Sequence, residues 1–169
     1  MMMQTFIHLI ADGAVVPVVL IGIYALVAKV PSSHRYEAYC RILMAGLTTY
    51  LSAKLLGTLY QPAIERPFEL LGVAPGAAYL DNPGFPSDHA LFVAAIAYAV
   101  WFETKNKVLT AILAVFVVLV CVGRVLALVH TPLDIAGGLA VATVGAAWYF
   151  VKPYSETKKR IPHSRTRKT

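Results

Sequence analysis

Five long apolar runs, at 6–28, 42–60, 87–102, 108–129 and 133–151, leave this chain little choice of fold. A helix that crosses a bilayer needs about 20 predominantly apolar residues, within a range of roughly 17 to 25. Every run reaches that length or nearly so; the third is the shortest and is expected to begin at the membrane surface. In lipid, backbone N–H and C=O groups must be satisfied within the segment, which makes such runs helical. The expected fold class is therefore all-α, a polytopic transmembrane helix bundle of about five spans. Composition agrees, with 58% hydrophobic residues, only 14% charged residues and a mean hydropathy of +0.65. A soluble domain would carry about 25% charged residues.

The organisation that follows is one membrane-embedded domain over 1–151 and a basic tail over 152–169. Residues 62–86 hold five prolines and cannot span, so they form an outer loop, with a short helix expected near 65–71. The N-terminus lacks a basic region and a cleavage site, and is read as a retained first span. Cys40 and Cys121 lie in or beside apolar runs far apart in sequence and are read as packed small hydrophobes.

The basic residues give the chain a direction. Lys29, Arg35 and Arg41 separate the first two runs, Lys105 and Lys107 separate the third and fourth, and seven more follow the fifth. Twelve of the fifteen Lys and Arg thus fall on one face, which is expected to be cytoplasmic. The N-terminus is then outside and the tail inside, lying on anionic cytoplasmic lipid. No basic stripe interleaved with aromatics is present, so the net charge of +6 does not mark a nucleic-acid binder.

Lys54, Arg66 and Arg124 break that pattern, and all three belong to the outer half together with Asp12, Asp88 and Asp134. Charge in or beside a bilayer is expensive, so such residues are functional candidates. With a rise of about 1.5 Å per residue, His89 lies roughly 20 Å, Arg124 about 24 Å and Asp134 about 26 Å from the cytoplasmic ends of their runs. They share one outer level. A polyanionic ligand would account for the stray cations.

Two stretches carry the chemistry. In Pro86-Ser87-Asp88-His89, Ser87 is a natural N-cap, and the free N–H groups of a helix start bind phosphate. His89, in the first turn, is placed to protonate a leaving oxygen. The second stretch runs from Arg124 over five residues to His130 and over three more to Asp134. Thr131 caps the helix that Pro132 opens, and Asp134 faces back towards His130. Thr131-x-x-Asp134 also has nearly the form of a capping box, so Asp134 reads equally as cap and as orienter of the imidazole. Arg124 needs an anion: Asp134, Asp88 or a phosphate held bidentately.

These residues resemble the integral-membrane branch of the type-2 phosphatidic-acid phosphatase superfamily. The family signatures are Lys-x6-Arg-Pro, Pro-Ser-x-His and Ser-Arg-x5-His-x3-Asp. The second is present as Pro86-Ser87-Asp88-His89, and the third as Gly123-Arg124-x5-His130-x3-Asp134. The first survives as Arg66-Pro67 with a displaced lysine. The resemblance covers roughly residues 50–140. It implies a phosphohistidine at His130, with Asp134 orienting it and His89 as general acid. Arg66, Arg124, Ser87 and the Asp88 backbone would hold the phosphoryl oxygens. No metal or other cofactor is implied.

Two departures stand out. Gly123 replaces the serine of the third signature, removing a hydroxyl donor to phosphate. The lysine of the first would fall at Leu59; Lys54 is the nearest, twelve residues before Arg66 rather than seven. Gln61-Pro62-Ala63-Ile64-Glu65 matches the excess, and Lys54 is expected to keep the phosphate role despite it. Phe85 before the second signature and Phe68 after Arg66-Pro67 look most like the bacterial undecaprenyl-diphosphate phosphatases. The implied partners are the bilayer and a lipid phosphate or diphosphate, met at the outer face of a cell membrane. Sister branches act on phosphatidic acid or phosphatidylglycerophosphate, and a catalytically weakened lipid-binding protein is the reading from another class. His8, His34 and His163 belong to no motif.

Overall fold

The computed structural model describes residues 2–62, 65–80, 82 and 84–151. The basic tail, Asp81 and the Ala63-Ile64 pair of the extra stretch lie outside the described residues. Among the described residues seven α-helices follow one another: α1 (Met2–His8), α2 (Val15–Ala28), α3 (Arg35–Leu59), α4 (Pro67–Leu70), α5 (Asp88–Thr104), α6 (Lys107–Leu126) and α7 (Pro132–Gly145). A π-helical segment, Leu9–Gly13, joins α1 to α2, and a 3-10 turn, Ala146–Phe150, extends α7. There is no strand among the described residues.

Among the described residues four stretches are long and apolar enough to cross a membrane: Met2–Ala28, Ser32–Leu59, Lys107–Leu126 and Pro132–Phe150. The chain is a multi-pass membrane protein. The third run differs from the others. It forms α5, whose 17 residues give about 25 Å of helix, short of a hydrocarbon core about 30 Å thick. α5 is the centre of the bundle, packed by α2, α6 and α7, and it runs from Ser87 at one end to the Arg41–Glu103 pair at the other.

Packing follows membrane rules. The interior is built mainly from small side chains such as Ala25, Ala45, Ala90, Ala99 and Ala142. Large ones such as Leu20, Leu47, Leu55, Val115 and Val118 point outward, where lipid is as good an apolar partner as protein. Helices meet closely where a glycine allows it: a Cβ on Gly138 of α7 would stand 2.5 Å from the Ser87 carbonyl oxygen. Polar bonds also join neighbouring elements, Trp148 Nε1 donating to Thr48 Oγ1 at 2.8 Å and Tyr98 pairing with Thr143 at 2.9 Å. At the end of the bundle away from Ser87, Arg41 grips Glu103 through Nε and Nη2 at 2.7 and 2.6 Å. Cys121 is buried as expected, whereas Cys40 sits on the outer surface of α3 rather than in the packing.

The expected short helix is present as α4, opened by Pro67 at its first position. The loop around it takes over the end of α6. The last carbonyls of a helix have no partner within it. Here three successive ones beyond α6 are claimed from outside: Ala127 by Gly76 N–H at 3.0 Å, Leu128 by Phe68 N–H at 3.0 Å and Val129 by Arg66 Nη1 at 2.6 Å. Leu128 adopts a left-handed backbone, φ 60°, which turns the chain into His130. The loop between α3 and α5 thus fixes the segment that presents His130.

Candidate functional site

The starts of α5 and α7 lie side by side. Ser87 N–H donates to the Asp134 carbonyl at 2.9 Å, a backbone bond between the two caps. Ser87 Oγ accepts from Ala90 N–H at 3.5 Å, a long contact. At α7 the capping box is complete: Thr131 Oγ1 accepts from Asp134 N–H at 3.2 Å, and Asp134 Oδ2 accepts from Thr131 N–H at 2.7 Å. The same Oδ2 lies 3.6 Å from His130 Nδ1. Asp134 therefore occupies both positions that the sequence leaves open, capping the helix and facing the imidazole. With Nδ1 turned towards the carboxylate, Nε2 is the nitrogen left for chemistry.

His130 and His89 line one cleft, together with Arg66, Arg124, Asp88 and Asn82. His130 lies outside the spanning helices and is almost wholly buried. That burial, reinforced by the Arg124 and Arg66 guanidinium groups, holds its imidazole below the ordinary histidine range against the opposing pull of Asp134. A neutral imidazole is the form that can act as a nucleophile.

The remaining expected residues are distributed unevenly. Ser87 is completely buried beneath the cleft, where its hydroxyl caps α5; it does not line the cleft wall. Arg66 borders the cleft, but Nη1 and Nη2 are engaged by the carbonyls of Val129, Leu80 and Asn82 and by Asn82 Oδ1. Its guanidinium braces the loops on either side of His130. Lys54 stands on the flank, 3.6 Å from Asp88 Oδ2, and borders a second opening with Asp88 and His89.

Arg124 is 1% exposed, and its anion is neither Asp134 nor Asp88. Asp12, from the π-helical segment, places Oδ1 2.7 Å from Arg124 Nη1. The Ala78 carbonyl accepts from the same nitrogen at 2.7 Å, while Nε has no partner among the described residues. Asp12 is the main residue that sequence reasoning misses, its only signal being a carboxylate inside an apolar run. Its Oδ2 accepts from Ala78 N–H at 2.8 Å and lies 3.4 Å from His8 Nε2, and its Oδ1 lies 4.0 Å from His89 Nε2. His8, which belongs to no motif, is thus beside the site.

The profile of the PAP2 superfamily matches residues 35–158, well over half of the chain. No curated protein and no solved structure matches. The matched stretch contains both histidines, Asp134, Arg66, Arg124, Ser87, Lys54 and Asp88, and it leaves out the first helices and Asp12. Members of this superfamily are phosphatases that act on lipid phosphates, which suits a cleft with two histidines and two guanidinium groups in a multi-pass membrane protein. The chain belongs to the PAP2 superfamily.

Proposed function

We propose that this protein removes the terminal phosphate from an isoprenoid diphosphate of the undecaprenyl type, through a phosphohistidine and without a metal. The observation that carries the reading is the placing of His130, backed by Asp134 at 3.6 Å, in one cleft with His89 and two guanidinium groups. His130 Nε2 attacks the terminal phosphorus as the bond to the bridging oxygen breaks. His89 gives its proton to that oxygen, so the lipid leaves as a monophosphate. Water then attacks the phosphohistidine, neutral His89 accepts its proton, and inorganic phosphate departs with His130 restored. Charge developing on the transferred group is met by Arg124, Arg66 and the helix start at Asp88, with Lys54 approaching from the flank.

The lipid chain has a route. The opening beside Lys54, Asp88 and His89 continues past Tyr50 and Leu91 to Phe92. Phe92 also borders an apolar cavity walled by Leu26, Ile42, Ile96 and Tyr149. Side chains from α2, α3, α5 and the 3-10 turn after α7 line this path, which suits one long hydrocarbon chain. The distribution of basic residues supports an outward-facing site, with the N-terminus outside and the tail in the cytoplasm.

The test is phosphate release by purified protein from undecaprenyl diphosphate, phosphatidic acid and phosphatidylglycerophosphate, with His130→Ala as control. A preference for the isoprenoid diphosphate that vanishes in His130→Ala is expected. A preference for a phosphoglyceride would overturn the substrate assignment, and activity surviving in His130→Ala would overturn the mechanism.

A further inference from the structure

The π-helical segment between α1 and α2 places a carboxylate against Arg124, a residue of the cleft, from outside the family-matched stretch. Ala14 N–H reaches five residues back to the Leu9 carbonyl at 2.9 Å, the bond that defines a π turn. Such turns insert an extra residue into a helix and are frequent at functional sites. Asp12 stands within this one. Both of its oxygens are fixed, Oδ1 by Arg124 and Oδ2 by Ala78 N–H, and Oδ1 also faces His89 Nε2 at 4.0 Å.

The missing serine of the third signature belongs to the same arrangement. A Cβ on Gly123 would lie 2.7 Å from Ala11 N, 2.8 Å from Ala11 Cα and 2.9 Å from the Ile10 carbonyl carbon. Those are backbone atoms and cannot swing aside. Only glycine at 123 lets the π turn rest on α6 with Asp12 against Arg124.

We propose that Asp12 is a positioning residue of this site, its carboxylate holding the Arg124 guanidinium and the His89 imidazole in place and favouring the protonated imidazole. The inference rests on the phosphohistidine reading for what that proton does. Each histidine then has its own carboxylate, Asp134 behind the nucleophile and Asp12 behind the acid. Asp12 and Ala78 occupy Arg124 Nη1, while Nε is buried and without a partner among the described residues. Other charged groups share the setting of His89: Asp88 on its own helix with Lys54 upon it, Arg124 from α6, and His130 and Arg66 across the cleft. Asp12 is the one carboxylate that faces the imidazole from another element within ion-pair reach among the described residues.

The test is Asp12→Asn with Asp12→Glu beside it, read as kcat against pH and as an NMR titration of the histidine rings. An opposite charge at this range favours the charged form by about one pH unit, so the alkaline limb of kcat and the His89 midpoint should both fall by about that much in Asp12→Asn. Asp12→Glu should recover part of the shift, and His130 should move far less. If both variants keep the wild-type pH profile and His89 midpoint, the proposal fails and Asp12 is only a counter-ion. The ring titration needs no turnover. A wild-type protein inactive on every substrate would sink the phosphohistidine reading, while the NMR midpoints would still decide the role of Asp12.

Discussion

Gly123 and Ala11 pack so closely that no side chain fits between them: a Cβ on Gly123 would lie 2.7 Å from the Ala11 nitrogen. Restoring the family serine at 123 should therefore harm this protein. Overpacking of this kind destabilises by about 1–3 kcal/mol. Gly123→Ser should melt earlier in detergent and lose activity as Asp12 is pushed off Arg124. An unchanged melting temperature with full activity would show that the π turn yields freely.

The two histidines should fail in different ways. General acid catalysis is worth about 10²–10⁴-fold, so His89→Ala should lose that much on a lipid diphosphate. The first burst of leaving group from an aryl phosphate, which needs no proton, should regain most of it, while the later attack by water stays slow without His89 as base. His130→Ala should be inactive on both. Equal losses on both substrates for His89→Ala would remove it from the leaving-group step.

Capping and orientation at α7 can be separated. Thr131→Ala removes one cap acceptor and should lower stability by about 1 kcal/mol with a small effect on kcat. Asp134→Asn alters the cap and the contact with His130 together, so kcat should fall much further than the melting temperature alone would explain. Thermal melts and initial rates on the two variants give the answer. Matching kcat losses would leave Asp134 as a cap alone.

The low-pH limb should report His130. Its imidazole is held below the ordinary range by burial and by the guanidinium groups, and the neutral form is the nucleophile. Activity should therefore persist as pH falls through the usual histidine value near 6.5 and be lost only below it. A rate–pH profile of the wild type on the aryl phosphate, whose leaving group needs no proton from His89, measures this, and a limb at or above the ordinary value would contradict it.

Lys54 should act on substrate capture. It pairs with Asp88 at 3.6 Å on the flank of the cleft, so Lys54→Met should raise KM for a lipid diphosphate more than it lowers kcat. Unchanged activity and affinity would end its phosphate role.

The apolar runs, the caps at Ser87 and Thr131 and the two histidines can be read from the sequence because each is a local pattern. Spacing within a few residues determines where a helix starts and which side chains stand in its first turn. The partner of Arg124 is another matter. Asp12 lies 112 residues away, and it meets Arg124 across a π turn whose extra residue leaves no mark in the hydropathy pattern. Arg66 shows the converse. Its motif is visible, but its engagement with three backbone carbonyls depends on how the loop between α3 and α5 folds over α6. The short third run also hides its place, because being central in a bundle depends on neighbours rather than on length.

The bond from Ser87 N–H to the Asp134 carbonyl has a mechanical meaning. Helices in a bilayer tilt and slide as lipid thickness changes. His89 stands two residues past one end of that bond and His130 four residues before the other. The separation of the two imidazoles is thereby referenced to a single peptide-to-peptide link and insulated from the tilt of α5 and α7. An enzyme gauged in this way should keep its rate constant across membranes of different thickness, even where its affinity for the lipid chain varies.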